Sequence, residues 1–472
     1  MKPIFTSAGK FRERAALWVL DLLVFTAFYT VYYYVRVESG WFAVPLVHDY
    51  WAPMIVSYIY WLGVFLFFGL YRPWHARSRV DEWFSLFKAV SSGCIVLFFA
   101  IFLDDLNTGA PPASRLLVFL YWFLLIISLG SARMFLRSAR RRLLERGIGL
   151  QNAIIIGWND KARELHDLVI KHPALGYRPI GFLKVDRRKG GKEYKGTPVL
   201  GHLDDLSDIV RKRSVLEILI ALSTSDHNKL LDIIASCSSV DVRLKIMPDM
   251  YDIISGQART NQIYGFPLIE IMPDIMQPWE QSAKRLMDIA VSIIVLILSA
   301  PMWIAIAIAI KLDSRGPIVY SQERVGKDRN LFKMYKFRSM RADAEKGTGP
   351  VWAPEKDIRV TKVGRLLRKL RLDEIPQFIN VLDGDMSLVG PRPERPFFVE
   401  KLSKEIPLYM RRLKVRPGIT GWAQVKQGYD RNIEDVKSKV RYDLFYIENM
   451  SLRMDFKIII YTFYVMIAGR GQ

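Results

Sequence analysis

The chain has 472 residues, enough for two to four structural units, and 51% are hydrophobic, a share that points to membrane segments rather than a wholly soluble protein. Its two cysteines, Cys94 and Cys237, exclude a disulfide scaffold and show no metal-ligand spacing. Much of the formal net charge of +21 brackets apolar segments instead of gathering with aromatics on one soluble face, which argues against a nucleic-acid partner and matches loops facing anionic lipid.

Four apolar runs come first, at residues 15–35, 51–70, 90–103 and 116–135. Most approach the ~20 residues a helix needs to cross hydrocarbon; the third is short unless it recruits Phe84, Leu86 and Phe87. Lys10, Arg12 and Arg14 open the block, Arg72, Arg77 and Arg79 sit in its middle link, and Arg133, Arg137, Arg140, Arg141 and Arg142 close it. The other two links hold few basic residues (Arg36, Arg115), so the positive-inside rule places both ends of the block in the cytoplasm. Residues 1–149 are expected to form a four-helix transmembrane domain. No cleavable signal peptide is expected, because no small-residue cleavage site follows the first run.

Residues 150–278 predict a cytoplasmic α/β unit. Ala153-Ile154-Ile155-Ile156 is a buried-strand run, with further strands expected at 180–185, 216–222 and 242–247. Helices are expected at 161–171, 203–211 and 228–236, and the alternation implies a parallel, Rossmann-like sheet. After Gly157 the chain reads Trp158-Asn159-Asp160, where a dinucleotide fingerprint would place more glycines; the bulk of Trp158 favours a structural or regulatory module over nucleotide binding.

A fifth apolar segment, residues 286–310, is long enough to span but contains Pro301, which removes a backbone hydrogen bond. Lys284 and Arg285 precede it and Lys311 and Arg315 follow it. Basic charge at both ends predicts a re-entrant membrane helix over 284–311, broken at Ser299-Ala300-Pro301; a kinked spanning helix is the alternative. The last apolar stretch, 457–468, is too short to span and is expected to lie in the interface.

The chemistry-bearing residues fall between these two apolar stretches. Lys336 and Arg338 alternate with aromatics, as on a strand with one basic face. Arg365, Arg368, Lys369 and Arg371 lie immediately before the adjacent carboxylates Asp373 and Glu374. Such a basic cluster repels itself unless it faces anions, and diphosphates are the natural candidates. A carboxylate can attack phosphorus to form an acyl phosphate; fixed guanidinium groups and a divalent cation lower the repulsion, and Mg²⁺ suits that role. Pro391-Arg392-Pro393 holds one arginine between two residues of restricted φ. Gly418 and Gly421 mark turns, and Trp422 could stack on a nucleobase or sit at the membrane interface. There is no Walker loop, zincin pair or nucleophile elbow.

From Lys284 onward the chain resembles the polyprenyl-phosphate hexose-1-phosphate transferases, or monotopic phosphoglycosyl transferases. The landmarks are Lys284-Arg285-Leu286-Met287-Asp288, Ala300-Pro301, Tyr335-Lys336-Phe337-Arg338-Ser339-Met340 and Leu372-Asp373-Glu374. Met386-Ser387-Leu388-Val389-Gly390-Pro391-Arg392-Pro393 and Pro417-Gly418-Ile419-Thr420-Gly421-Trp422-Ala423-Gln424-Val425 complete them. The front end resembles the long members, which act on undecaprenyl phosphate with glucose or galactose.

The resemblance implies a membrane protein of α plus α/β class: a four-helix block, a Rossmann-like domain, and a catalytic domain over 279–472 with a re-entrant helix. It further implies Mg²⁺ dependence, a ping-pong reaction between a UDP-hexose and undecaprenyl phosphate releasing UMP, and a homodimer at the cytoplasmic face of the bacterial inner membrane. Asp373 matches the family nucleophile and Glu374 its partner at the metal. Lys336, Arg368, Arg392 and Asp443 match positions used in or near the active site, and Arg338 and Arg371 join them here as phosphate-binding candidates. The family's Ser-Pro at the membrane break is Ala300-Pro301 here, so Ser299 or a water is expected to serve the freed carbonyls. Two other readings compete: a membrane sensor or scaffold, which would transfer nothing to lipid, and an ordinary glycosyltransferase, which would release UDP.

Overall fold

The structure is a computed structural model and describes residues 4–39, 49–71, 79–108, 113–185, 191–222, 227–237, 242–248, 268–271, 276–341, 359–406, 408–427 and 433–467. Arg72 and Arg77 of the middle basic link, and Ala468, lie outside these. By internal contacts the chain divides into two compact units, residues 1–230 with 240–271, and residues 231–239 with 272–472. The first unit joins the apolar helices to most of the α/β layer, so no compact unit ends at residue 149.

Four helices open the first unit: α1 (Ile4–Tyr33), α2 (Trp51–Phe67), α3 (Arg79–Thr108) and α4 (Ala113–Glu145). Within them, 14–33, 81–103 and 117–145 are long and apolar enough to cross a membrane, and α2 is a shorter apolar helix. The third run does take in Phe84, Leu86 and Phe87. Phe25, Phe28, Trp61, Phe65 and Leu125 fill the centre. Gly93 makes this packing possible, because a Cβ there would lie 2.6 Å from the Trp61 ring. Arg133 corrects the reading of the basic flank: only 1% exposed, it is bonded to Asp21 and lies 3.4 Å from Glu82, which also pairs with Arg137.

Strands β1 (Gln151–Ile156), β2 (Tyr177–Lys184), β3 (Glu193–Tyr194), β4 (Thr197–His202), β5 (Glu217–Ile220), β6 (Arg243–Ile246) and β7 (Ile269–Ile271) form one sheet in the order β3-β4-β2-β1-β5-β6-β7. The inner five are parallel and both edge strands antiparallel. Helices α5 (Asp160–Lys171), α6 (Leu206–Arg213) and α7 (His227–Cys237) lie between strands in the chain, close to the expected ranges. β4, whose Pro198 and Gly201 disguise it, and the short edges β3 and β7 were not legible. The carboxyl ends of β1 and β5, where open parallel sheets take ligands, are bridged by side chains. Asn159 Nδ2 donates to the Ala221 carbonyl and Lys161 Nζ to that of Leu222, both at 3.0 Å.

The second unit is built on α8 (Pro278–Asp313), 36 residues long. It is helical through Pro301, so no non-helical segment separates two arms; Pro301 deprives the Ile297 carbonyl of its N–H partner, which lets a helix bend there. Beside it the Ser299 hydroxyl donates to the Leu296 carbonyl (3.3 Å) and accepts from Trp303 Nε1 (3.1 Å). Both ends of α8 are held by the same unit. Near the start, Asp288 Oδ1 accepts from Leu388 N (3.0 Å), and buried Lys284 donates to Asp455 (2.6 Å) and the Val389 carbonyl (3.0 Å). Near the end, Ile306 and Ile310 pack with Phe337, Leu367 and Ile375. Ile297 and Leu298, at mid-helix, are 67% and 76% exposed.

Candidate active site

The hairpin β8 (Val319–Val325) and β9 (Leu331–Phe337) carries Lys336 on its second strand. Helix α9 (Lys362–Lys369) starts where Thr361 Oγ1 caps Gly364 N at 3.0 Å. It ends at Lys369, and Arg371, whose positive φ of 57° is rare for a side chain of that size, then turns the chain sharply. The next residues, Leu372–Glu374, form a single 3₁₀ turn rather than an α-helix, so Asp373 and Glu374 diverge by about 120°. Helix α10 (Gln377–Asp383) follows, its last carbonyls (Val381, Leu382) bonded by Arg285 at 2.5 and 2.9 Å.

Asp373 and Glu374 are only 6% and 8% exposed. Glu374 Oε1 accepts from Lys336 Nζ at 3.0 Å and Arg392 Nη2 at 2.8 Å, while Oε2 lies 3.8 Å from Arg371 Nη1. Asp373 accepts no hydrogen bond and forms no ion pair among the described residues. Burial works against charge on Glu374, but Lys336, Arg392 and Arg371 outweigh it and hold its carboxyl well below the usual range. Burial raises Asp373, and the adjacent Glu374 charge adds to that, against the pull of Lys336 and Arg368. Burial also lowers Lys336, against the attraction of Glu374. The result is one carboxylate held toward its ionised form by the cations around it, beside one with unbonded oxygens and a raised carboxyl.

The loop carrying Arg392 lies between β10 (Ser387–Val389) and α11 (Pro396–Glu405). β10 pairs in parallel with β11 (Gly418–Thr420), and the two backbones approach so closely that a Cβ on Gly390 or Gly418 would strike the opposite main chain. Four successive loop carbonyls are held: Pro391 by Gly418 N (3.0 Å), Arg392 by Arg412 Nη2 (3.2 Å), Pro393 by Arg324 Nη1 (3.0 Å) and Glu394 by Val325 N (3.0 Å).

Of the sequence-predicted residues, Lys336, Arg371, Arg392, Asp373 and Glu374 come together, with Arg368 among the charges acting on Asp373. Arg368 Nε donates to Ser339 Oγ at 2.9 Å. Two others sit apart from the dyad. Arg338 is buried against the end of α8, donating from Nη2 to the Ser314 carbonyl (2.6 Å) and hydroxyl (2.9 Å), as a cation at a helix C-terminus does. Asp443, on α13 (Ile433–Glu448), accepts from Arg412 Nε at 2.7 Å. The break residues Ser299, Ala300 and Pro301 lie inside α8, as described. Trp422 opens α12 (Trp422–Lys426) and packs on Phe445 and on Tyr461 of α14 (Leu452–Ile467), with Lys426 4.8 Å from its ring.

Sequence reasoning missed Arg412, Arg324 and Glu394, and it read Lys284 as a flanking charge. Asp288, four residues after Lys284, was the available signal that one face of α8 carries a polar pair. For a divalent cation the candidates are Asp373 and Glu374. Among the described residues no group of three or more His, Cys, Asp or Glu could hold one, so such an ion would fill its shell with water and substrate oxygens, as Mg²⁺ does.

The family model "Bacterial sugar transferase" matches residues 279–469, and "CoA-binding domain" matches 66–248. The UDP-glucose:undecaprenyl-phosphate glucose-1-phosphate transferase of Xanthomonas campestris pv. campestris is 31% identical over 438 residues, 90% of each chain. The enzyme of the same description from Escherichia coli (strain K12) is 30% identical over 401 residues, 83% of each. An Aeromonas hydrophila UDP-N-acetylgalactosamine-undecaprenyl-phosphate N-acetylgalactosaminephosphotransferase is 41% identical over 238 residues, 50% of this chain and 55% of that one. With similarity of this extent across both units, the chain belongs to the bacterial sugar transferase family, as a membrane enzyme of its polyprenyl-phosphate hexose-1-phosphate transferase group.

Proposed function

We propose that the chain transfers hexose 1-phosphate from a UDP-hexose to undecaprenyl phosphate in two displacements at phosphorus. The observation that carries this is the unequal dyad: Glu374 takes the direct cation contacts and Asp373 is left with free, basic oxygens. In the first step an Asp373 oxygen attacks the sugar-bearing phosphorus; the bond to the bridging oxygen breaks and UMP leaves with that electron pair. In the second, an oxygen of undecaprenyl phosphate attacks the aspartyl phosphosugar, giving undecaprenyl-diphosphate-hexose and restoring the carboxylate. Lys336, Arg371 and Arg392 hold the diphosphate and stabilise its developing charge. Asp373 and Glu374 would hold Mg²⁺, which supplies Lewis-acid neutralisation of the phosphate oxygens when bound.

The reaction would begin a surface polysaccharide (an exopolysaccharide, capsule or O-antigen) at the cytoplasmic face of the inner membrane, by a homodimer. Re-entrance of α8 is supported by the grip of one unit on both its ends and by its exposed apolar middle. The test is incubation with UDP-hexose labelled in the sugar. The wild type should acquire label on protein, pass it to lipid and release UMP, and Asp373→Asn should do none of these. Label transfer by Asp373→Asn, or UDP in place of UMP, would refute the mechanism.

A further inference from the structure

We infer that Arg412 is the positioning residue for Arg392, and that Asp443 acts on the site only through Arg412. This rests on the reading of Arg392 as a diphosphate ligand. Prolines 391 and 393 have no N–H, so the loop cannot be tied down through those nitrogens, and its shape depends on what grips its carbonyls. The Pro391 and Glu394 carbonyls are held by backbone N–H groups, and that of Pro393 by Arg324. The Arg392 carbonyl is held by Arg412.

Arg412 is buried, 5% exposed, on the 3₁₀ segment Tyr409–Lys414. Its Nε donates to Asp443 Oδ2 (2.7 Å), its Nη1 to the Tyr409 hydroxyl (2.9 Å) and its Nη2 to the Arg392 carbonyl (3.2 Å). Because a guanidinium is a rigid planar fork, fixing Nε and Nη1 fixes the direction of Nη2 as well. Burial opposes the Arg412 charge, but the Asp443 and Glu394 carboxylates outweigh it and keep the group ionised. Asp443 therefore aims Arg412, Arg412 fixes the Arg392 main chain, and the Arg392 side chain reaches 2.8 Å from Glu374. A lysine at 412 is a single point charge: held on Asp443, it leaves the Arg392 carbonyl without its donor and the loop free to turn.

A purely structural ion pair would weaken the fold without regard to Arg392, and a double-variant cycle separates the two. UDP is titrated, with MgCl₂ present, into full-length detergent-solubilised wild type, Arg412→Lys, Arg392→Ala and the double variant. Arg412→Lys should weaken UDP binding about tenfold, and the double variant should bind no worse than Arg392→Ala alone. Multiplying penalties, or an Arg412→Lys protein that binds like wild type, would overturn the inference. Tyr409→Phe, which keeps the pair with Asp443, should weaken UDP about two- to threefold, and only while Arg392 is present. If Arg412→Lys does not fold, this variant decides the matter, and unchanged affinity overturns the inference. A wild type that binds no UDP defeats the functional reading along with it; a wild type that binds UDP, with multiplying penalties, defeats the inference alone.

Discussion

Each unit holds a buried cluster of acids and bases, and the two are built on opposite lines. In the first, Arg133 and Arg137 meet Asp21 and Glu82, and both carboxylates are taken. In the second, Lys336, Arg371, Arg392 and Arg368 surround Asp373 and Glu374; the direct contacts fall on Glu374 and Asp373 stays unbonded. A neutral, closed cluster among apolar helices pins them together, since any member left alone would be a charge in a medium that does not solvate it. A cluster with excess cations and a free carboxylate is incomplete without an anion.

That contrast can be broken at its strongest point first. Arg133→Met would strand Asp21 and leave Glu82 with Arg137 alone, and should cost about 3–5 kcal/mol, read as a fall in thermal stability of detergent-solubilised protein. The UDP affinity of the protein that still folds should be unchanged; a variant as stable as wild type would show that the first cluster is no pin. Arg392→Ala should act in the reverse sense, raising KM for the nucleotide sugar about 10- to 100-fold at near-normal stability, since it removes a charge-assisted contact from the site. Loss of fold in that variant would place both clusters in the same structural class.

Acidity sharpens the difference within the dyad. In the proposed mechanism Asp373 attacks as its carboxylate, and that carboxyl is raised above the ordinary value of 3.8, so kcat/KM should begin to fall at a higher pH than a free aspartate would dictate. Glu374, held low, stays ionised across that range. A smaller effect is expected at Glu394. Burial opposes its charge, but Lys439, Arg412 and Arg324 hold it at about 2 against an ordinary 4.5. Its folded value is depressed, so its contribution to stability is complete above pH 4.5 and disappears as pH falls toward 2. Unfolding curves of wild type and Glu394→Gln should converge across that window; a constant gap would disprove the pairing.

Legibility followed distance along the chain. Asp373 and Glu374 could be read because the basic run from Arg365 to Arg371 abuts them, and α3 because its recruited aromatics continue the apolar run. Arg338 misled for the same reason: alternation put it on the basic face with Lys336, yet the strand ends at Phe337 and the next side chain turns to the end of α8. Asp443 lies 31 residues from Arg412, and no local pattern joins them.

By itself the sequence determined where the membrane helices run, that an α/β layer follows the first four, and which short motifs hold the acids and bases of the site. Hydropathy, periodicity and adjacency are local properties, and local backbone geometry expresses them directly. Only the tertiary structure decided which charges meet: Arg133 with Asp21 across 112 residues, Lys284 with Asp455 across 171, and Arg412 beneath Arg392. Burial makes an unpaired charge intolerable, so partners are chosen by packing in three dimensions rather than by neighbourhood in the chain.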